Sequence, residues 1–532
     1  MVESSLGRVI VAEAFDERGL DVLRGAGVEV VSCVGAPRER LVEMLGDARG
    51  LIVRSETRVD AGLLSQAPRL EVVARAGVGV DAIDVDAATA AGIVVVNTPS
   101  ANTISATEQT FALLLAAMRH VSRAHASVQA GLWDRKPFVG NELYGKTLGI
   151  IGLGRIGSNV AHRAKAFGMN VIAHDPYIPA SRAGALDVTL EGLDELLRDA
   201  DIVTLHIPLT AQTVRFIDAR RLAAMRPGAV LVNCARGGVV DAEALIGALD
   251  SGHLRCAAID VVPQEPPPKD SASERLLTHP HVVATPHLGG STFEALERIA
   301  LELAGDVVRV LGGRPASGAV NAPSLEGADA ELAGGFVDLA YRMGALLPQL
   351  FDEALRSEVA LVLHGDLAES DGRPFVAAAL AGALPQFTDR RVTNVNAVAV
   401  ARELGVRTAI VNEAATPPYR ATLAIAAGGH RIAGTVLPAG PRIIDVDGYE
   451  LDAIPAGTLI VTRHHDVPGI VGRIGSILGA ANVNISTMQV ARNAREGLAM
   501  MVLGVDRGFD REVLEAIEDV PGIESARVAR VP

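Results

Sequence analysis

The sequence predicts an α/β protein of several domains, with a doubly wound parallel sheet near its middle and a ferredoxin-like module at its end. Three observations carry that expectation. Short apolar runs alternate with amphipathic stretches through residues 8–311, the pattern of strands joined by crossover helices. A G-x-G-x-x-G turn at 152–157 follows one apolar run and opens a helical pattern. After residue 456 the order changes to βαββαβ.

In chain order, residues 8–12 read as a first strand. Apolar runs at Val28–Val31, Gly50–Val53, Leu70–Ala74 and Ile93–Asn97 then alternate with helical stretches at Asp16–Arg24, Arg38–Leu45 and Ala61–Leu64. Ser105–Ala124 reads as one long helix. The strand–helix alternation continues through Asp201–His206, Ala229–Cys234, Cys256–Val261 and Val282–Ala284, and the helix Thr292–Leu311 leads away from it. These readings place residues 102–290 as a domain inserted into another made of 1–101 and 291–316. The Gly/Pro/Ser-rich stretch 312–325 marks a boundary. An Ala- and Val-rich α/β segment covers 317–455, and the βαββαβ module covers 456–532.

Composition narrows the function classes. A net charge of −14 argues against a nucleic-acid surface. Three cysteines, Cys33, Cys234 and Cys256, offer neither a disulfide framework nor metal-ligand spacing. The N-terminus lacks a secretory pattern and no apolar run reaches membrane-spanning length, so a soluble cytoplasmic protein with no membrane and no metal is expected.

The stretch Lys146–Asp175 has a mechanical reason for each feature. Gly152 permits a tight turn, Gly154 lets a pyrophosphate approach the backbone, and Gly157 lets helix and strand pack closely. The helix opening at Arg155 and Ile156 offers free N–H groups and a partial positive charge. Asp175 arrives eighteen residues after Gly157, at the end of a second apolar run. There it accepts ribose hydroxyls and repels a 2′-phosphate, so the expected cofactor is NAD.

Ligands gather at the carboxyl ends of strands in such sheets, and four strand ends carry unusual residues. They are Cys234-Ala235-Arg236, Asp260 with Glu265 nearby, His287 before Gly289-Gly290, and His206. Hydride transfer involving a 2-keto acid needs a cation for the carboxylate and carbonyl, the role expected of Arg236. It needs a proton donor near neutrality, expected of His287, and a carboxylate to hold the imidazole, expected of Glu265. His206, Cys234, Ala235, Asp260, Gly289 and Gly290 are expected around the cofactor, His206 lining the nicotinamide pocket.

These residues resemble the D-2-hydroxyacid dehydrogenases, and within them the long-form phosphoglycerate dehydrogenases. The likeness runs through VRSETRV (53–59), RAGVGVDAIDVDAAT (75–89), VVNTPSANTISATEQT (95–110), LVNCARGGVVDAEAL (231–245), DVVPQEPP (260–267) and TPHLGGST (285–292). The tail is similar too, through GYELDAIPAGTLIV (448–461) and DVPGIVGRIGSILGAANVNIS (466–486). The resemblance implies a Rossmann-type NAD domain inserted in a flavodoxin-like substrate domain, then an intervening anion-binding domain and an ACT domain. It implies oxidation of 3-phospho-D-glycerate to 3-phosphohydroxypyruvate by NAD, the opening step of L-serine synthesis, in a homo-oligomer. Arg54, Ser55, Arg75 and Gly77 fall on substrate-facing positions, and Arg135, beside Trp133, on a loop lent to the neighbouring subunit. Asp466 and Asn484 fall on positions that bind L-serine as effector.

The chain departs from the family pattern at Ala82, at Val262, at His464 where some relatives carry Tyr, and in an intervening segment poor in lysine. Arg431 and Arg442 are the available substitutes there. Two other readings stand beside the favoured one: a dehydrogenase for another 2-hydroxy acid, and a non-catalytic NAD sensor.

Overall fold

The computed structural model describes residues 6–323, 330–352, 355, 358–415, 418–493 and 497–532. Four sheets follow one another along the chain. The first contains β1 (Gly7–Val11), β2 (Val28–Ser32), β3 (Gly50–Val53), β4 (Val72–Arg75) and β5 (Val94–Val96), all parallel in the order β2-β1-β3-β4-β5. That is the flavodoxin-like order. Alternate residues feed two cores, as a parallel sheet covered on both faces requires. Ile10, Leu51 and Val73 meet Leu41, Leu45 and Leu63 on one side. Val9, Ile52 and Val72 meet Leu23, Leu303 and Val307 on the other, where the helix Phe293–Leu311 returns the chain to this sheet.

The second sheet contains β6 (Thr147–Ile151), β7 (Asn170–His174), β8 (Thr189–Leu190), β9 (Ile202–Leu205), β10 (Ala229–Asn233), β11 (Leu254–Ile259) and β12 (Val282–Ala284). Its order, β12-β11-β10-β9-β6-β7-β8, reverses direction between β6 and β9, the crevice where a dinucleotide lies in this architecture. The single helix expected over Ser105–Ala124 is two helices, Thr103–Arg119 and Val121–Gln129. His120 adopts a left-handed conformation (φ 56°) that ends the first ladder, and the second helix buries none of its residues.

The third sheet contains β13 (Glu358–Gly365), β14 (Arg407–Glu413), β15 (Ala421–Ala427), β16 (His430–Leu437), β17 (Gly440–Val446) and β18 (Tyr449–Ala453), covered by the helices Ala330–Leu350 and Arg373–Ala383. The fourth contains β19 (Gly457–His465), β20 (Ile485–Asn493), β21 (Leu498–Val505) and β22 (Ile523–Val531), in the ferredoxin-like order β20-β21-β19-β22. Its Ile460, Met501 and Leu503 pack on its own helices. The alternate residues Leu459, Val461, Met500 and Val502 join the core of the third sheet. The boundary expected between 455 and 456 therefore crosses continuous packing.

The third unit also touches the first. Arg391 donates to the carbonyl of Leu70 (2.6 Å) and Thr393 to that of Gly92 (3.0 Å). Both carbonyls lie just before strands, β4 and β5, at the strand ends opposite Arg75.

Candidate active site

The glycine turn fits a dinucleotide on steric grounds. Gly152 sits at φ 94°, and a Cβ there would lie 2.6 Å from the His206 carbonyl oxygen. A Cβ on Gly157 would lie 2.0 Å from the Gly152 oxygen, so helix and strand close only over hydrogen. A Cβ on Gly154 would meet nothing within 4 Å. That glycine caps the helix Arg155–Ala166 without a side-chain bond, leaving the first-turn N–H groups open to an anion.

Asp175 has a second task that the sequence did not suggest. One carboxylate oxygen accepts the N–H of Leu153 (2.8 Å) inside the glycine turn, and the other accepts that of Tyr177 (3.0 Å). His206 directly follows β9, hydrogen-bonded through Nε2 to Thr204 (3.0 Å). The residue as a whole is half-buried, and desolvation pulls its pKa down to about 4, so it is neutral at physiological pH. Burial pushes the Cys234 thiol up to about 12, with the Asp260 charge acting the same way, so it behaves as a small apolar group.

Asp260, expected at the cofactor, lies beneath the loop instead. It is 2% exposed. Its carboxylate accepts the N–H of Leu288 (2.8 Å) and Gly289 (2.9 Å) and the hydroxyl of Thr285 (2.5 Å). Its backbone carbonyl accepts the N–H of His287 (2.8 Å). Gln109 on the helix Thr103–Arg119 bonds Thr285 (3.0 Å). This bracing accounts for the backbone of His287, which stands at φ 56°, a region that a non-glycine residue occupies only when its surroundings impose it. Gly290 lies beside Asn102, whose buried Oδ1 has no partner among the described residues and is available to a ligand donor.

His287 Nδ1 and Glu265 Oε2 are 2.7 Å apart. Burial raises the Glu265 carboxyl, but the His287 hydrogen bond and charge, the Val262 N–H and Arg236 outweigh it, leaving the net value below the ordinary one. With Nδ1 engaged, Nε2 is the nitrogen left for a substrate oxygen. Arg236 reaches across the cleft to the first domain, where its Nε bonds Asp81 (3.0 Å). Its own loop needs Gly237, since a Cβ there would lie 2.0 Å from the Val262 carbonyl carbon.

Arg54 follows β3 and Arg75 ends β4. Burial first, then the charges of Arg236 and Arg54, pull Arg75 down to about 10, still protonated at neutral pH; Asp81 and Glu13 oppose the fall. Three guanidinium groups thus converge on one cleft, an arrangement that an anionic ligand relieves. Gly77 stands at φ 142°, where other side chains are strained, and a Cβ there would displace the Arg75 guanidinium. Arg54 also lines a pocket of about 220 Å³ with Phe15, Ala76, Leu296 and Ile299. Ser55 is exposed beside it. Arg135 stands apart, on an exposed segment with Trp133 (84% exposed); its carbonyl accepts the N–H of Phe138 (3.2 Å), and its guanidinium has no ion-pair or hydrogen-bond partner among the described residues.

In the fourth unit Asp466 is ion-paired with Arg492 (2.8 Å). Asn484 is exposed, its N–H donating to Asp506 (3.3 Å). His464 is 3% exposed, and burial holds its pKa below the ordinary value. Arg431 and Arg442 are paired with Asp445 (2.9 Å) and Asp452 (3.3 Å). Among the described residues no group of three His, Cys, Asp or Glu could hold a metal ion, and no helix is long and apolar enough to cross a membrane.

Residues that sequence reasoning missed are Glu13, Asp81, Gln109, Thr285 and Asn102. Glu13 and Thr285 lie just beyond strand ends, the one signal that could have found them; Asp81 sits further along the loop after β4, and Asn102 and Gln109 belong to the helix Thr103–Arg119 and its cap.

Comparison with known proteins agrees with this geometry. Residues 111–289 match the D-isomer specific 2-hydroxyacid dehydrogenase NAD binding domain, 333–447 the D-3-phosphoglycerate dehydrogenase intervening domain, and 458–522 the ACT domain. The D-3-phosphoglycerate dehydrogenase of Synechocystis sp. is 40% identical over 99% of this chain and 95% of its own length. That of Bacillus subtilis is 38% identical over 99% and 100%. Among solved structures, a D-lactate dehydrogenase from Aquifex aeolicus complexed with NAD and lactic acid matches 57% of this chain and 96% of its own, at 29% identity and TM-score 0.52. A glyoxylate reductase from Paecilomyes thermophila matches 57% and 95%, at 30% identity and TM-score 0.53. The glycine turn, the strand-end dyad and the two further domains therefore have one source: the chain belongs to the D-3-phosphoglycerate dehydrogenase family of the D-isomer specific 2-hydroxyacid dehydrogenases.

Proposed function

We propose that the protein oxidises 3-phospho-D-glycerate to 3-phosphohydroxypyruvate with NAD, opening L-serine synthesis. The convergence of Arg54, Arg75 and Arg236 on the cleft that holds the His287–Glu265 pair carries this reading. A substrate with two anionic ends satisfies three cations better than a small acid with one.

NAD, when bound, supplies the hydride acceptor. The residues that would hold it are Gly152, Gly154 and Gly157 with Arg155 and Ile156 at the pyrophosphate, and Asp175 at the ribose. His206, Cys234, Ala235, Gly289 and Gly290 would line the nicotinamide end, with Asp260 bracing the loop beneath. Arg236 holds the substrate carboxylate and stabilises negative charge on the reacting oxygen. Nε2 of His287 takes the hydroxyl proton during oxidation, and Glu265 stabilises the imidazolium that forms. Arg54 and Arg75, with Ser55 and Gly77 beside them, receive the phosphorylated end.

Trp133 and its exposed neighbours Leu132 and Val139 suit contact with a second copy, so we read the protein as a homo-oligomer in which Arg135 completes a partner's site. The ACT unit is read as the site of an amino-acid effector, L-serine, with Asp466 and Asn484 in contact with it. Steady-state turnover of 3-phosphoglycerate against lactate, glycerate and glyoxylate-forming substrates tests the activity. Equal or better turnover of an unphosphorylated acid refutes the substrate.

A further inference from the structure

Where β1 ends, Val11 lies opposite Ile52 and the Ala12 N–H bonds the Ile52 carbonyl. That register brings the next residue, Glu13, under the turn that follows β3. Glu13 is 8% exposed. Its Oε1 accepts the N–H of Arg54 and of Thr57, both at 2.9 Å, and its Oε2 accepts those of Ser55 and Glu56, both at 3.1 Å. Burial raises its carboxyl, but these backbone donors prevail and leave it below the ordinary glutamate value.

Successive N–H groups that converge on one point form a nest of the kind that holds anions. Here the nest is filled by a side chain of the same domain, with two consequences. The backbone of 54–57 is unavailable to substrate, so this turn can meet the substrate's anionic groups only through its side chains. The filled nest also fixes the backbone from which Arg54 projects, while the same negative charge acts on Arg75 against the repulsion of Arg54 and Arg236. No role in the proton or hydride chemistry follows, because both carboxylate oxygens are committed to the turn.

We propose that Glu13 is a positioning residue for the anionic end of the substrate: by filling the nest of the 54–57 turn it aims Arg54 and lets Arg54, Arg75 and Arg236 converge. The proposal rests on the reading above, in which Arg54 and Arg75 receive a phosphorylated 2-hydroxy acid. The test compares wild type with Glu13→Ala, Glu13→Gln and Glu13→Asp in turnover of 3-phosphoglycerate and in NADH affinity by fluorescence. In the Ala and Gln variants KM for 3-phosphoglycerate rises about tenfold or more, kcat falls by less than about threefold, and NADH affinity is unchanged. Formate, small enough to enter the vacated nest, restores part of the lost KM in the Ala variant. It has no effect in the Gln variant, where the amide still fills the space, and the Asp variant falls between wild type and Gln. Should the Ala variant fail to fold, the Gln and Asp pair decides the same point. A Gln variant with KM within twofold of wild type overturns the proposal, as does a parallel loss of KM, kcat and NADH affinity. A wild type that leaves 3-phosphoglycerate untouched overturns the functional reading instead, and the same KM comparison on the acid it does oxidise then decides the role of Glu13.

Discussion

Replacing Glu265 by Gln isolates the electrostatic part of the dyad, since the amide keeps the shape and an acceptor oxygen for His287 Nδ1. At a contact of 2.7 Å the two charge centres stand about 4 Å apart, where Coulomb's law gives about 1 kcal/mol in water and about 4 at an effective dielectric near 20. The side chains are 39% and 36% exposed, which places the pair toward the aqueous limit, about 1.5–2 kcal/mol. The imidazolium formed during oxidation loses that much stabilisation, so kcat/KM for 3-phosphoglycerate falls about 10–30-fold at neutral pH. The sign of the pH effect follows. A less stable imidazolium leaves the imidazole free to accept a proton at lower pH, so the acid limb of the oxidation profile moves down. In the reverse reduction, which needs the proton on the ring, the alkaline limb retreats to lower pH. Steady-state profiles in both directions measure this, with NADH affinity as a control expected to stay constant. Rates within twofold of wild type and superimposable profiles would refute the role given to Glu265.

Asp175→Ala should both relax the preference for NAD over NADP and raise the KM for NAD severalfold, because the carboxylate also braces the Leu153 N–H; comparable NADP efficiency in the wild type contradicts the assignment. Burial pushes Cys234 to about 12 and Cys256 to about 11, so iodoacetamide at pH 8 should label neither in the native enzyme, as mass spectrometry of labelled peptides would show. Glu13 and Glu265 are both held below the ordinary 4.5, so the stability they contribute is complete above that value and lost as pH falls through their folded values; denaturant midpoints from pH 7 to pH 3 should fall less in Glu13→Gln than in wild type. Inhibition by L-serine should vanish in Asp466→Ala and strengthen in Arg492→Ala, which removes the cation now paired with Asp466; unchanged inhibition in both displaces the effector site.

What the sequence made legible was local. The glycine turn, Asp175 and the strand-end residues His287 and Arg236 announce themselves because each acts where it stands in the chain. The Glu265–His287 contact was legible only because both lie at neighbouring strand ends. Glu13 was opaque for the opposite reason: its partners are backbone N–H groups 41–44 residues away, which carry no residue identity to read; Asp260 stood out by its strand end, but the N–H groups 28–29 residues away that it braces did not. The break at His120 was hidden inside a helical pattern, since a left-handed histidine looks like any other until its φ is known. The shared core of the last two sheets was equally hidden, because β21 reads as one apolar run whether one face or both are covered.

That shared core decides what kind of object the C-terminal half is. A regulatory module hung on a linker can be cut off, exchanged or inherited separately, and signals through the linker alone. Here β19 and β21 are walls common to two rooms: Leu459, Val461, Met500 and Val502 are needed by the third sheet as much as Ile460, Met501 and Leu503 are by the fourth. Removing 456–532 would strip apolar surface from residues 330–455, and the two sheets should melt together as one cooperative unit. Any shift that an effector imposes on β19 is a shift of the neighbouring sheet as well, and that sheet's unit reaches the first domain through Arg391 and Thr393. On the proposed reading of the ACT unit as an effector site, the C-terminal half is therefore a lever whose far end bears on the starts of β4 and β5.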